Sequence, residues 1–500
     1  MNKITKLIQL LFLAAVFTNN ALAQTPVSHP DLVWEKEETH SDEFDALDTD
    51  KWENDPNDWG VWSWDPSLAY VENNELKIKM IQETHRRNTH FGQNEELYYK
   101  SGIIRNNQTI TYGYFEAKIK GADRFPGVSP AFWLYSINQP DPTEDGQAKY
   151  SEIDVVELTQ KEWDFENNEW EGPEAIDMNL HAVARENGQL VQIRPHGKPD
   201  LAQNKWYADF DPRDDYHTYG VLSRVDSIFW YVDGIERGRK ENLYWHLPMH
   251  ITVSMGLRNP FVKYVDGVRY PVADSTTTVG FPTEMACQYV RVWTAVPQIQ
   301  ANASDYENVE FGKNKGLTFN SYFDAGSGFK STSVMNVELV EKNASGETVK
   351  VAASSQALIN GKAAGQASAF FNLQGVSNSA ELEAGHYYEI NASFTSSKEE
   401  GTVVELTPIK NIQIVDEVTS IDQGLGSKIE IFPNPALASI KINGIQKTAS
   451  ITIHSVSGNV MLEKEVKPQE SIDISNWVNG VYIIKVSHNN VVTTKRFVKL

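Results

Sequence analysis

Ser151-Glu152-Ile153-Asp154-Val155-Val156-Glu157 sets three carboxylates within six residues of a segment otherwise made of serine, isoleucine and valine. β-Branched residues at that density read as a buried strand. Taking an ionised carboxylate out of water costs on the order of several kcal/mol unless it is paired or used. Acids alternating with apolar residues therefore mark the floor of a cleft. Strand periodicity puts Glu152 and Asp154 on one face, with Ile153 and Val155 on the other. Glu157 lies five residues after Glu152 and would face the wrong side of a regular strand. One extra residue at Val155-Val156, a β-bulge, returns it to the acidic face. The two glutamates then stand four strand steps apart, roughly 13 Å between Cα atoms at ~3.3 Å per residue. Side chains leaning toward each other approach the ~5–5.5 Å carboxyl separation of a retaining glycosidase.

Carboxyl groups crowded in one low-dielectric site raise one another's pKa, so one of them holds a proton where the others do not. Glycoside hydrolysis uses that inequality. Glu152 is assigned as nucleophile and Glu157 as the acid that protonates the leaving oxygen and then activates water. Asp154 is expected to hydrogen-bond Glu152 and to set which group keeps the proton. From spacing alone, an edge strand with solvated acids on its outer face remains the competing reading.

Further motifs in order along the chain resemble glycoside hydrolase family 16 over about residues 30–297. They are Tyr112-Gly113-Tyr114-Phe115-Glu116-Ala117-Lys118-Ile119-Lys120, similar to the family's strand leading toward the cleft, and Pro126-Gly127-Val128-Ser129-Pro130-Ala131-Phe132-Trp133-Leu134. Asp215-Tyr216-His217-Thr218-Tyr219, Phe229-Trp230-Tyr231-Val232-Asp233-Gly234 and Tyr289-Val290-Arg291-Val292-Trp293 follow. The resemblance implies an all-β, β-jelly-roll sandwich with an open cleft, endo-acting, retaining hydrolysis and no cofactor in catalysis. It also implies a possible structural calcium, for which the acids Asp42, Glu43 and Asp45, or Asp233, are candidates. Within the family, Phe125 through Ser136 and the run ending Leu158-Thr159-Gln160 look most like the members that cut β-1,4 linkages in κ-carrageenan, a sulfated red-algal galactan. Members acting on β-carrageenan, furcellaran, agarose or porphyran share the same strand. A non-catalytic galactan-binding lectin on this sandwich would lack one of the two glutamates, and both are present.

A sulfate ester beside the cut bond calls for a guanidinium. Arg258, in Ser254-Met255-Gly256-Leu257-Arg258-Asn259-Pro260, ends an alternating apolar strand and is the first candidate; Arg185, Arg194 and Arg124 come after it. Sugar rings need flat apolar faces, and the chain holds 13 tryptophans. Trp59, Trp62 and Trp64 crowd into a loop that looks hard to bury, so Trp62 or Trp64 is read as a sugar platform and Trp133 as one near the reactive centre. Trp163 and Trp170 are further stacking candidates in the insertion after the acidic strand, while Trp230 and Trp293 belong to the core. His181, in Met178-Asn179-Leu180-His181, alternates toward the cleft and is placed against the nucleophile or substrate. No His/Asp/Glu cluster has zinc spacing, so no catalytic metal is expected.

Residues 1–23 carry a basic start, an apolar run over residues 7–17 and Ala21-Leu22-Ala23, the pattern of a secretory signal peptide. The run is shorter than the ~20 apolar residues a membrane span needs. A single cysteine, Cys287, excludes an internal disulfide, so hydrophobic burial must supply stability. A net charge of -22 argues against nucleic acid as partner. It conflicts with a sulfated substrate only at low salt, because at high ionic strength exposed charges are screened within a few ångströms and direct arginine contacts decide binding.

Composition shifts after Val296-Pro297. Residues 24–297 read as the catalytic domain, and residues 299–420, without tryptophan and β-patterned, as a small immunoglobulin-like module acting as spacer or binding unit. After a boundary near Asp422-Gln423-Gly424-Leu425-Gly426, residues 428–500 resemble the C-terminal sorting domain of type IX secretion, carried by Ile431-Phe432-Pro433-Asn434-Pro435, Ser455-Val456-Ser457-Gly458 and Gly480-Val481-Tyr482-Ile483-Ile484-Lys485-Val486. That resemblance implies the type IX machinery as partner and a secreted or cell-surface location. The chain is read as a monomer.

Overall fold

The computed structural model describes residues 25–28, 32–164, 168–398, 401–417 and 429–499, the last apart from 435, 437, 446–447, 456–459, 469, 476, 478–479 and 489–490. The signal-peptide candidate, the boundary at 422–426 and Val456 to Gly458 lie outside the described residues.

Alternation of apolar and polar residues along most segments yields strands, and among the described residues the only α-helix is the four-residue Pro199–Ala202. Two large sheets, antiparallel except for one short parallel edge strand, face each other over one core. The outer sheet orders Ile235–Glu241, Ser227–Val232, His217–Ser223, Gly113–Lys120, Thr283–Ala295, Glu75–Thr89 and Gly92–Ser101, with Ser63–Trp64 at its edge. The cleft sheet orders Gln189–Ile193, Leu180–Glu186, Ala148–Leu158, Val128–Tyr135, Met249–Leu257, Ile103–Ile110 and Trp52–Glu53. Phe115, Ala117 and Ile119 from the outer sheet and Phe132, Leu134, Ile153, Val155 and Val156 from the cleft sheet close into one apolar core. The Tyr112–Lys120 motif, expected to lead toward the cleft, therefore runs in the opposite sheet, where Glu116 is buried and accepts from Tyr289 Oη at 3.0 Å. Trp230 and Trp293 are buried, as expected.

A second core joins a three-stranded sheet (Gln298–Gln300, Leu317–Asp324, Ala364–Phe371) to a six-stranded one that includes Val334–Lys342 and Tyr387–Ser396. Tyr388 is part of this core. A third core, rich in isoleucine, unites the three- and four-stranded sheets of the C-terminal domain.

Candidate active site

The acidic strand, Ala148–Leu158, pairs with Val128–Tyr135, and the register skips one residue between Asp154 and Val156. Glu152 stands opposite Tyr135, Asp154 opposite Trp133 and Glu157 opposite Ala131. Tyr135, Trp133 and Ala131 alternate on one face, and cross-strand partners share a face, so all three acids point into the cleft. Val155 and Val156 both pack in the core, the signature of the extra residue. A bulge breaks the ladder locally, and the freed groups find other partners. Trp230 Nε1 donates to Asp154 O at 2.9 Å, and Asp154 N donates to Asn179 O at 2.9 Å. Trp245 Nε1 reaches Glu152 O at 2.9 Å and His181 O at 3.0 Å, tying the two neighbouring strands together.

Glu152 Oε2 accepts from Tyr150 Oη, two residues back on the same face. Asp154 does not bond Glu152, contrary to expectation. His181 sits between them, its Nε2 3.6 Å from Glu152 Oε1 and 3.1 Å from Asp154 Oδ2. Burial, then the Glu157 and Glu152 charges, push the Asp154 carboxyl up to about 7. Burial works against a charged His181 ring, yet Glu152 and Asp154 outweigh it and pull its pKa up to about 9. Arg194 Nη1 lies 2.8 Å from His181 Nδ1, and a guanidinium only donates. That contact uses the Nδ1 lone pair, so the Arg194 charge opposes the proton that the two carboxylates draw to the ring, while Nε2 faces the carboxylates.

Glu157 is gripped by Arg258, whose Nη2 meets Glu157 Oε1 while Nε donates to Gln160 at 2.8 Å and Nη1 to Leu257 O at 3.0 Å. Arg258 thus lies in the cleft as expected, but its nearest anion is Glu157. A Cβ at Gly256 would lie 2.9 Å from Arg258 Nη1 and 3.2 Å from the Trp62 ring, so a larger residue there would displace the guanidinium. Across the strand pair from Glu157 is Asp177, buried and pushed up to about 8 by that burial despite Lys205 Nζ at 3.4 Å.

The cleft encloses about 1320 Å³. Trp133 lies on its floor, stacked on Tyr135 at 4.4 Å and anchored through Nε1 to Ser254 Oγ at 3.0 Å. Trp62 and Trp64 line the wall but are buried, against the expectation of an exposed platform. Arg87 Nη2 donates to the carbonyls of Trp59, Gly60 and Trp62, and the three indoles pack edge to face, Trp59 on Trp64 at 4.9 Å and Trp62 on Trp64 at 5.5 Å. Satisfying the loop carbonyls is what permits its burial. Trp59 is the half-buried ring that offers a face to the cleft. On the other side the hairpin Trp163–Asp164/Glu169–Trp170 presents Trp163 and Trp170, the latter 51% exposed.

Arg185 shares the face of His181 but lies four residues further along, outside the cleft lining and 3.8 Å from Asp145. Arg124 stacks over Phe261 and Phe281, also outside it. His217 belongs to the outer sheet, stacked on Phe210 and bonded to Asp233 at 2.7 Å. The acids considered for calcium do not form a cage. Asp42 accepts from Phe44 N and Trp52 Nε1, Glu43 binds Arg291, and Asp233 binds His217 and Thr218 N. Among the described residues the convergent acid groups are Glu152, Asp154 and His181, and Glu162, Glu171 and Asp177, the last centred on Lys205. Sequence reading missed Tyr150, Asp177 and Arg269, all of which line the cleft.

Two glutamates flanking a third acid below a row of flat rings are the equipment of a glycoside hydrolase. Residues 34–295 match the family described as the GH16 domain of β-porphyranases A–D. The κ-carrageenase of Pseudoalteromonas carrageenovora is 43% identical over 295 residues, covering 58% of this chain and 72% of that protein. The crystal structure of that enzyme with a κ-carrageenan oligotetrasaccharide superposes with a TM-score of 0.51 at 42% identity, over 54% of this chain and 98% of that one. β-Porphyranase B of Zobellia galactanivorans is 26% identical over 211 residues, 41% of this chain and 68% of that protein. The chain belongs to glycoside hydrolase family 16. Residues 430–500 match the secretion system C-terminal sorting domain, which points to export to the cell surface or the medium. No helix among the described residues is long and apolar enough to cross a membrane.

Proposed function

We propose that this chain is an exported endo-hydrolase that cuts β-1,4 linkages within κ-carrageenan, with retention at the anomeric carbon. The observation that carries the mechanism is the one-residue bulge that turns Glu152, Asp154 and Glu157 onto one face opposite Tyr135, Trp133 and Ala131. Glu152, held by Tyr150, attacks the anomeric carbon. Glu157 protonates the leaving oxygen, then takes a proton from the water that releases the glycosyl-enzyme. Asp154 and His181 lie beside the nucleophile and stabilise the charge shift at it. Trp133 supports the sugar ring, with Trp59 and the Trp163/Trp170 pair along the walls. The identity to κ-carrageenase supports the sulfated galactan as substrate, and the cleft's own charge permits it. Lys161, Arg194, Arg258 and Arg269 line it against Glu152, Asp154, Glu157, Glu162 and Asp177, a near balance in a chain of net charge -22.

The match to a family named for porphyranases supports a second reading, porphyran or a neutral galactan in the same cleft. Purified red-algal galactans, with reducing ends counted and products sized, separate the two. Release of even-numbered sulfated oligosaccharides from κ-carrageenan alone is the expected result; cleavage of porphyran or agarose instead would replace the substrate. Glu152→Gln, nearly isosteric but unable to attack, should abolish turnover while oligosaccharide binding persists, and measurable turnover by that variant would remove the mechanism. Export is proposed to run through residues 1–23 as signal peptide and the type IX machinery acting on the sorting domain.

A further inference from the structure

The hairpin that carries Trp163 and Trp170 has arms of two residues each, Trp163–Asp164 paired with Glu169–Trp170. A ladder that short is marginal in water, so contacts outside it must fix where its rings stand. Glu162 precedes the first arm and Glu171 follows the second, and Glu171 N donates to Glu162 O at 3.0 Å. Both side chains converge on Lys205 Nζ, at 3.1 and 2.6 Å. Asp177 Oδ1 completes the set at 3.4 Å. Lys205 opens the strand Lys205–Tyr207, where it stands opposite Asp177, and Asp177 in turn stands opposite Glu157 on the acidic strand. One ammonium thus ties both feet of the hairpin to the sheet that carries the acids. Glu171 and Asp177 are buried, and among the described residues no other cation pairs with either. His196 reaches Glu162 Oε1 at 3.6 Å, but from a largely exposed ring. Tyr207 Oη adds neutral bonds, to Glu171 at 3.1 Å and to Asp164 at 3.3 Å. Burial works against the charge on Lys205, yet Asp177, Glu162 and Glu171 overcome it and raise its pKa. Without that ammonium, three carboxyl groups whose oxygens lie within 4.8 Å of one another would repel and part the feet.

We propose that Lys205 is a positioning residue, which by clamping Glu162 and Glu171 against Asp177 sets where Trp163 and Trp170 meet the polysaccharide. This rests on the reading of those two rings as sugar platforms on the cleft wall. They stand edge to face at 5.3 Å, and both line the cleft. An indole gives its full stacking energy only where its plane is already fixed, because ordering it on binding would cost part of the gain. Lys205 and Glu171 lie outside the cleft lining, so their effect on substrate must pass through the rings.

Steady-state rates of the full chain on κ-carrageenan test this. Lys205→Met keeps the stem and removes the charge, and should raise KM by about 5-fold or more, the loss expected of one aromatic anchor, with kcat within about threefold. A merely destabilised protein would instead show less active enzyme at an unchanged KM. In a chain already carrying Trp163→Ala and Trp170→Ala, Lys205→Met should raise KM no further, because the rings it holds are gone. Lys205→Arg keeps the charge and should recover part of the loss. Glu171→Gln weakens one foot without altering the cleft lining, should raise KM by a smaller factor, and carries the test if the methionine variant does not fold. An unchanged KM in every variant that folds overturns the proposal, as does an equal rise with and without the two tryptophans. A fall in kcat alone would assign Lys205 to Glu157 through Asp177 and overturns it too. If the wild-type chain cuts a different galactan, the same rates are taken on that polymer, so a wrong substrate and a wrong clamp give different outcomes. A chain that cuts no galactan removes both.

Discussion

Tyr150 precedes Glu152, the proposed nucleophile, by two residues, and the pleat puts its hydroxyl on the same face, where it donates to Oε2. Burial, reinforced by the Glu152 charge, holds the phenol well above its ordinary pKa, so it stays a donor through the working range. Its removal should therefore cost orientation of the nucleophile and leave the sugar contacts alone. Tyr150→Phe is expected to lower kcat by about 10- to 100-fold, the worth of one hydrogen bond to a charged group, with KM within about threefold. Steady-state rates on the preferred galactan check this, and a wild-type kcat would show that Glu152 is held by something else. Tyr150 was legible in principle, because the alternation that pairs Glu152 with Asp154 extends back to it. Arg269 was not. It reaches the cleft through a hairpin whose direction depends on packing against Trp62, and no local pattern encodes that.

At the level of the strand, the bulge makes an unusual promise, because the residues that pair across the ladder are the same with and without it. Removing Val155 leaves Glu152 opposite Tyr135, Asp154 opposite Trp133, Val156 opposite Phe132 and Glu157 opposite Ala131, now with regular spacing. The deletion should fold with all three acids still facing the cleft, at a cost of roughly 1.5–3 kcal/mol for one buried valine. Deleting Ile153 instead turns Glu152 toward the core and should yield insoluble or unfolded protein. Soluble yield and thermal melting of the two single-residue deletions compare them directly, and equal behaviour would mean that the face of these carboxylates does not govern folding. The bulge was readable in the sequence because five residues separate two acids that chemistry wants on one side. Burial of the Trp59, Trp62 and Trp64 loop was not readable, since it depends on Arg87, 23 or more residues downstream, capping three carbonyls. Strand content was legible from alternation, and the sorting domain through the resemblance of its motifs to a known family. Assignment of the Tyr112–Lys120 motif to a sheet was not, because alternation tells inside from outside but not which sheet a strand joins.

Over the whole molecule, the catalytic sandwich and the middle module meet through a buried bidentate pair, Arg224 to Asp324 at 3.0 and 2.7 Å, joined by Ala363 N donating to Asp226. The middle module is thus docked on the catalytic sandwich at this edge. Two groups that titrate near neutrality lie in the cleft. Asp154 and Asp177 have folded-state pKa values of about 7 and about 8, raised first by burial, against an ordinary 3.8. Below pH 3.8 both chains, folded and unfolded, carry these protons. As pH climbs, the unfolded chain releases them first, so the folded state loses stability until it too ionises, through about 7 and then about 8. Two histidines act the other way, whereas His181, raised to about 9, adds to the fall. Burial lowers the pKa values of His40 and His246 below 6.5, which raises stability with pH, but that gain is largely complete by neutrality. Between pH 6.5 and 8 the carboxyl groups therefore win, and stability should fall by up to about 1.4 kcal/mol per pH unit for each proton concerned. For a domain of this size that corresponds to about 2–4 °C per kcal/mol, readable by scanning calorimetry across pH 6.5 to 8.5 at fixed salt. Asp177→Asn, which keeps the shape and removes one of the two protons, should flatten the slope without unfolding the sandwich. A melting temperature that holds level or rises over that interval in the wild-type chain would mean that the cleft carboxyls ionise freely, and the proton-sharing on which the acid/base roles depend would go with it.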